Sequence, residues 1–280
     1  MSSLGENLTA LGLSTHREDQ EIFARYSLVE CLRSGNTTVV EQGMVPTLGE
    51  KTAIDIIDEI GIRACEGPMF RDGRWARSQE ANIQTEWLGL EVGLEGLEKA
   101  ARFTEQYRSA LNGRLMPMLY PMQVDTCSAE LLRAVREKAD DLKVPITIHA
   151  GQWVVEFQNM IRMYRRTPME FLHDTGLLGP DLIVGHGWAI KGHPWVVYPA
   201  ADGGDLRLLA EAGATVSHQP VVFVKRGIVM HSHTKYLTAG VNVSIGTDTA
   251  PQDMLNERAR ARGRNPSNAI SPVHESTSKK

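Results

Sequence analysis

Four residues in the second half of the chain share one setting. His149 closes Pro145-Ile146-Thr147-Ile148, His186 closes Leu182-Ile183-Val184-Gly185, and His218 closes Ala214-Thr215-Val216-Ser217. Asp248 follows Gly246-Thr247 at the end of Val241–Thr247. Each stretch is short, apolar and rich in β-branched residues, the pattern of a buried strand. Imidazole and carboxylate together are the donors that zinc or iron takes, with a water at the open position. A single histidine of this kind is more often a hydrogen-bonded core or rim residue. Four at equivalent places read as a set.

Other side chains compete for a role. Gln152 lies three residues after His149, and Trp153 and Trp188 follow two of the strands closely. Either indole could stack on a planar ring, although an aromatic beside a strand end more often packs. His231-x-His233 comes after Gly227-Ile228-Val229-Met230 and could pass for a strand bearing two ligands. It falls between a strand and its helix, which aims it away from the set. His16, His173, His193 and His274 read as loop or surface residues. Cys31, Cys65 and Cys127 are widely spaced, without a C-x-x-C pair, and read as reduced thiols.

The elements that must position these groups alternate along the chain. Helical spacing covers Arg17–Arg33, Glu50–Ile60, 79–111, a segment capped by Ser128, Ile161–Thr175, Asp205–Ala212 and 231–239. Strands are expected at Thr37–Val40, Gly61–Cys65, Leu115–Tyr120 (interrupted by Pro117), Pro145–His149, Leu182–His186, Ala214–His218 and Val241–Thr247. Strands alternating with helices make βαβ units and a parallel sheet. Seven strands after an opening helix fit an α/β fold of the TIM type, a (β/α)8 barrel lacking its first strand. A doubly wound open sheet is the alternative, but no glycine-rich phosphate loop follows the first strand. In a parallel barrel all strand C-termini face one rim, so the four ionisable groups converge on one cleft.

Composition narrows the class. A net charge of -4 gives no general reason to bind nucleic acid or membrane. No apolar run approaches the roughly 20 residues of a membrane span. The first residues lack the pattern of a secretory signal, so a cytoplasmic protein is expected. Beyond Glu257 come Arg258, Arg260, Arg262, Arg264 and a polar remainder, expected to be disordered. The expected division is a loop remnant at 1–14, a barrel at 15–257 and an Arg-rich tail at 258–280.

On these residues the chain resembles the metal-dependent amidohydrolase superfamily, in its branch of cytosine, guanine and adenosylhomocysteine deaminases and triazine chlorohydrolases. The resemblance is carried by Ser34-Gly35-Asn36-Thr37-Thr38-Val39-Val40, Ile148-His149-Ala150-Gly151-Gln152 and Gly185-His186. It continues in Glu211-Ala212-Gly213-Ala214-Thr215-Val216-Ser217-His218-Gln219-Pro220 and in Ala239–Asp248. It implies one divalent ion, zinc or iron, with His149 as the fifth-strand ligand and Asp248 as the eighth-strand ligand. It implies that Asp248 takes a proton from the attacking water, that catalytic His186 orients the water or steadies the developing charge, and that His218 has a substrate-side or structural role. The implied partner is a small heterocyclic substrate, and a homo-oligomer stays open.

Two departures stand out. The H-x-H pair that the family carries after its first strand is absent from the expected place, as is the accessory β-sandwich. Gln152 occupies the position of a glutamate that shuttles protons to the leaving amine, and an amide cannot give or take that proton. The expectation is a metal-dependent hydrolase acting on carbon–nitrogen or carbon–halogen bonds of a heteroaromatic ring. Gln152 tilts this toward a halide leaving group or a different acid, or serves only to hydrogen-bond substrate. The alternative is a catalytically incomplete fragment or a non-catalytic relative.

Overall fold

The computed structural model describes residues 16–77, 83–198, 203–230, 232–250 and 252–261. After α1 (Arg17–Arg33) come β1 (Thr38–Val40), the short α2 (Met44–Leu48), α3 (Glu50–Ile60) and β2 (Arg63–Glu66). An insertion follows, made of β3 (Met69–Phe70) and the hairpin β4 (Gly73–Arg77) and β5 (Ile83–Trp87). Then come α4 (Leu90–Tyr107), β6 (Leu115–Pro117), β7 (Tyr120–Pro121) and α5 (Ala129–Leu142). The second half runs β8 (Ile146–Ala150), α6 (Val154–Tyr164), α7 (Pro168–Asp174), β9 (Leu182–His186), α8 (Gly204–Ala212) and β10 (Thr215–His218). It closes with α9 (Pro220–Val224), α10 (His233–Thr238), β11 (Asn242–Ile245) and α11 (Met254–Ala261).

The strands pair in chain order and in parallel. One ladder runs β1-β2-β6, with Val39 opposite Ala64 and Cys65 opposite Met116. The other runs β8-β9-β10-β11, with Ile148 opposite Val184 and Val216 opposite Val184 and Val243. Parallel bridges Leu119–Ile146 and Gln123–His149 connect the two. Parallel strands joined by helical crossovers, with one face inward, form a TIM-barrel-like α/β fold. Among the described residues, β1 and β11 each have a neighbouring strand on one side only.

Burial follows the periodicity. Leu131, Leu132 and Val135 of α5 are buried against Ile146, Ile148 and Val184 of the sheet. A smaller core joins Leu28 of α1 to Ile56 and Ile57 of α3 and Ala64 of β2. Ser128 caps α5 as expected, its hydroxyl accepting from the Leu131 amide.

Several boundaries differ from the sequence reading, each for a local reason. The helix expected over Ile161–Thr175 is two helices, because Thr167 and Glu170 form a reciprocal capping box with Pro168 in the first turn. The region 79–111 read as helix contains β5 instead, paired antiparallel to β4 with Gly73 opposite Trp87; residues 79–82 lie outside the described ones. The forked ion pair of Arg74 with Glu86, at 2.9 and 3.1 Å, is a cross-strand contact that helical spacing conceals. The strand Leu115–Tyr120 splits at Pro117, which lacks the N–H needed to continue a ladder. α11 carries helix four residues into the expected tail, and its Glu257 carboxylate accepts from the Val221 amide at 2.8 Å; the rest of that tail lies outside the described residues. No described helix is long and apolar enough to cross a membrane.

Candidate active site

His149 lies on β8 and His186 at the end of β9, and Asp248 follows β11 by three residues. Two of the three have left-handed backbones, with φ of 76° at His186 and 60° at Asp248. Non-glycine residues rarely take that region; where they do, surroundings hold them there at a cost of about 1–3 kcal/mol. At His186 the hold is visible. The amide of Gly187 donates to Ala150 O at 2.9 Å, and a Cβ on Gly187 would meet Val216 Cγ1 at 2.9 Å. The chain must therefore turn sharply under β10, which leaves the imidazole at the strand end.

Hydrogen bonds fix both imidazole tautomers. His149 Nδ1 lies 2.7 Å from Met122 O, which can only accept, so the proton sits on Nδ1 and Nε2 keeps its lone pair. The Tyr120 hydroxyl is 3.2 Å from the same nitrogen. Gln219 Nε2 donates to Ser217 Oγ at 2.9 Å, which turns Gln219 Oε1 toward His186 Nδ1, also at 2.9 Å. His186 therefore donates from Nδ1, and its buried Nε2 has no hydrogen-bond partner among the described residues. The two rings stack with centroids 5.1 Å apart. Burial, and then the neighbouring His149, hold His186 well below the ordinary histidine range. Burial also lowers His149, opposed by Met122 O and the Asp248 charge. Asp248 is raised by burial, against the pull of His149 and Arg226.

These groups open on a cleft of about 570 Å³ lined by Glu41, Tyr120, His149, His186, Gln219 and Asp248, among others. It runs between β1 and β11 and is backed by Leu28 and Cys31 of α1. The model of the amidohydrolase family matches residues 2–274. The chain belongs to that family. It is 33% identical over 234 residues to a 5-methylthioadenosine/S-adenosylhomocysteine deaminase of Pyrococcus furiosus, covering 82% of this chain and 49% of that protein. Among solved structures, a zinc-bound adenosine deaminase of Xanthomonas campestris superposes with a TM-score of 0.67 at 22% identity, over 88% of this chain and 50% of that one. A zinc-complexed atrazine chlorohydrolase of Arthrobacter aurescens gives 0.64 at 20% identity, over 84% and 49%. The structural likenesses carry the fold alone. The chain spans about half the length of the curated relatives it matches.

In this amidohydrolase, the cleft unites His149, His186 and Asp248 and leaves four other expected residues outside its lining. His218 is flanked by Ser217 and Gln219, which face the cleft, so strand alternation turns it to the other side. Its ring lies 6.5 Å from that of His233, and burial lowers its pKa to about 4. Trp188, at 1% exposure, packs edge-on to Phe223 and His193 in the core, which answers the stacking expectation with packing. Trp153 sits under the Arg226 guanidinium, 5.4 Å from its ring centre, and against Phe223. Gln152 is 6% exposed, and its amide and that of Gly151 donate to the Glu156 carboxylate at 3.1 and 2.6 Å.

Of the H-x-H segment, His231 lies outside the described residues, and His233 opens α10 beside His218. His274 is also outside them. His193, expected at the surface, is buried and bonds Val229 O at 3.0 Å. The sequence reading missed Glu41, Tyr120 and Gln219. Glu41 was within reach of the strand-end argument, since it directly follows β1 as His186 closes β9.

The donor chemistry at His149 and Asp248 suits a divalent cation, because a neutral imidazole with a free Nε2 and a carboxylate share one rim. The number of donors falls short. Among the described residues no group of three or more His, Cys, Asp or Glu is arranged to hold a metal ion.

Proposed function

We propose that this chain forms the second to eighth strands of an amidohydrolase barrel, and that its cleft hydrolyses an amine or halide from a heteroaromatic ring. The observation that carries this reading is the convergence of His149, His186 and Asp248 on one cleft, with the His186 Nε2 buried and unpaired. The relatives' names, deaminases of 5-methylthioadenosine, S-adenosylhomocysteine and 5'-deoxyadenosine, support a planar nitrogen heterocycle as substrate.

His149 and Asp248 would hold one divalent ion, zinc or iron. When bound, such an ion supplies a nucleophile at neutral pH by bringing the pKa of water to about 7. The residues of the chain do the rest. Met122 O keeps the His149 proton on Nδ1, so that Nε2 faces the cleft as a donor atom. His186, neutral, accepts a hydrogen bond from the attacking water through Nε2 and so sets its approach. Asp248 takes the proton that the water gives up. Gln219 holds His186 in the required tautomer.

A panel of matched aminated and chlorinated heterocycles, assayed with added zinc or iron, tests this. Metal-dependent release of ammonia or chloride that is lost in His149→Ala and Asp248→Ala is the expected result. Release that survives both substitutions would overturn the reading. A non-catalytic role is the second reading. It is favoured by the one-sided pairing of β1 and β11 and by the two-donor metal set, and absence of turnover at saturating metal would select it.

A further inference from the structure

One carboxylate of the cleft wall, Glu41, and the buried carboxyl of Glu66 on the neighbouring strand are left unused by the proposed mechanism. Glu41 follows β1 and lines the cleft, while Glu66 ends β2 beside it, at 0% exposure. The backbone brings them together, since the Glu41 amide donates to Cys65 O at 2.9 Å. Glu41 commits one oxygen, Oε2, to the amides of Gly43 and Met44 at 2.8 and 2.6 Å. Glu66 commits Oε1 to the Gly67 amide at 3.2 Å, and its buried Oε2 has no hydrogen-bond partner among the described residues. A buried carboxylate oxygen with nothing to bond is costly; a carboxylic acid there has a proton to offer instead.

We propose that Glu41 and Glu66 work as one acid that shares a proton on the cleft wall and delivers it to the leaving nitrogen, the task that Gln152 cannot perform. Burial first, and then the adjacent Glu41 carboxylate, keep Glu66 protonated well above the ordinary range. Two adjacent carboxylates cannot both ionise easily, so one proton stays with Glu66 beside Glu41. The titratable group facing the pair from the next strand position is Tyr120, itself raised by burial and by the charges of Glu41, Glu66 and Asp248. The backbone amides of Gly67 and Val45 oppose the rise at Glu66.

The proposal rests on the hydrolase reading, and its step balances. Water adds its oxygen to the ring carbon and gives up one proton to Asp248. Glu41 passes the shared proton to the exocyclic nitrogen, the carbon–nitrogen bond breaks with its electron pair on nitrogen, and ammonia leaves. The proton held by Asp248 then returns to the pair through solvent and restores its one proton. A halide leaves without this proton, so the pair matters for amines alone.

The test is a pH titration of glutamate side-chain carboxyls by NMR, on metal-free protein labelled with carbon-13 at that carbon. The signal lost in Glu66→Gln identifies Glu66. Glu41→Gln should move its midpoint toward the ordinary carboxylate range, because the neighbouring anion is gone. Binding of 6-aminopurine should displace the Glu66 midpoint, and 6-chloropurine should displace it less. Glu41→Asp, which keeps the acid, should retain the ligand-dependent displacement, and amide dispersion reports whether each variant is folded. Ordinary titration of Glu66, or equal or absent displacement by the two purines, would overturn the pair. Turnover assays fail or succeed separately: a chain that deaminates while Glu66 titrates normally keeps the hydrolase reading and loses this one.

Discussion

The imidazoles of His149 and His186 stack at 5.1 Å with their planes inclined by 25°, each donating from Nδ1 to a neutral oxygen. Neither ring has a carboxylate on Nδ1, and burial is the leading cause of the lowered pKa of both. The cleft therefore presents two uncharged nitrogen lone pairs side by side. That arrangement suits a cation and a water more than it suits an anion.

His186→Asn should separate chemistry from stability. Asparagine tolerates positive φ better than most residues, so the strained turn before Gly187 is kept. The buried Nε2 disappears. Turnover should fall by about 10²–10⁴-fold, the usual worth of a positioned acid–base group. Urea unfolding should show a loss of about 0.5–1.5 kcal/mol, because the bond from His186 Nδ1 to Gln219 Oε1 goes.

Gln152→Glu is expected to destabilise the fold. Position 152 is buried, and its backbone already faces Glu156, a carboxyl held far above its usual range by burial and then by Asp125. A second acid there must be buried beside a first, at a cost of about 1–3 kcal/mol for an unpaired polar group. Denaturation of the variant against wild type checks this, and a matched amine and halide pair checks leaving-group preference. A change in that preference would return position 152 to the proton path.

Trp75→Phe should also cost about 1–3 kcal/mol. The indole N–H lies 3.0 Å from both oxygens of Asp125, a fully buried carboxyl raised to about 6 by burial. The folded pKa lies above the unfolded value, so the Asp125 contribution is full below about pH 3.8 and declines as pH rises toward 6. Loss of the indole donor removes a bond to the charged form. The penalty of the variant should thus be larger at pH 8 than at pH 5, as read by thermal or urea unfolding.

His218 gives the opposite sign. Its folded pKa is about 4, below the ordinary histidine value of 6.5, so the unfolded chain binds the extra proton between those limits. Stability should fall as pH drops through that window, by up to about 1.4 kcal/mol per pH unit for one linked proton. His218→Gln should flatten the pH dependence by one proton. Equal slopes in both proteins would mean that His218 is not held neutral in the folded state.

Much of the fold was legible because its signals are local. The strands ending at His149 and His186 are short β-branched runs, and the cap at Ser128 announces α5. What escaped depended on partners distant in sequence or on direction. β5 looks helical until Arg74 and Glu86 are known to pair across a hairpin. His218 shares the strand-end pattern of His186, yet a strand alternates faces, and it is Ser217 and Gln219 that reach the cleft. Trp188 could not be told from a stacking platform until its burial against Phe223 was seen. Glu41 directly follows the strand ending at Val40, so the strand-end rule that picked out the histidines also reaches it.

His149 and Asp248 are the residues proposed to hold one divalent ion, zinc or iron. Competition with a chelator of known affinity measures this binding directly, with zinc and iron, on wild type and on His149→Ala, Asp248→Ala and His233→Ala. Two protein donors predict binding that dialysis removes, weakened further in His149→Ala and Asp248→Ala and unchanged in His233→Ala. One equivalent of metal that survives dialysis, or binding indifferent to His149 and Asp248, would contradict the account.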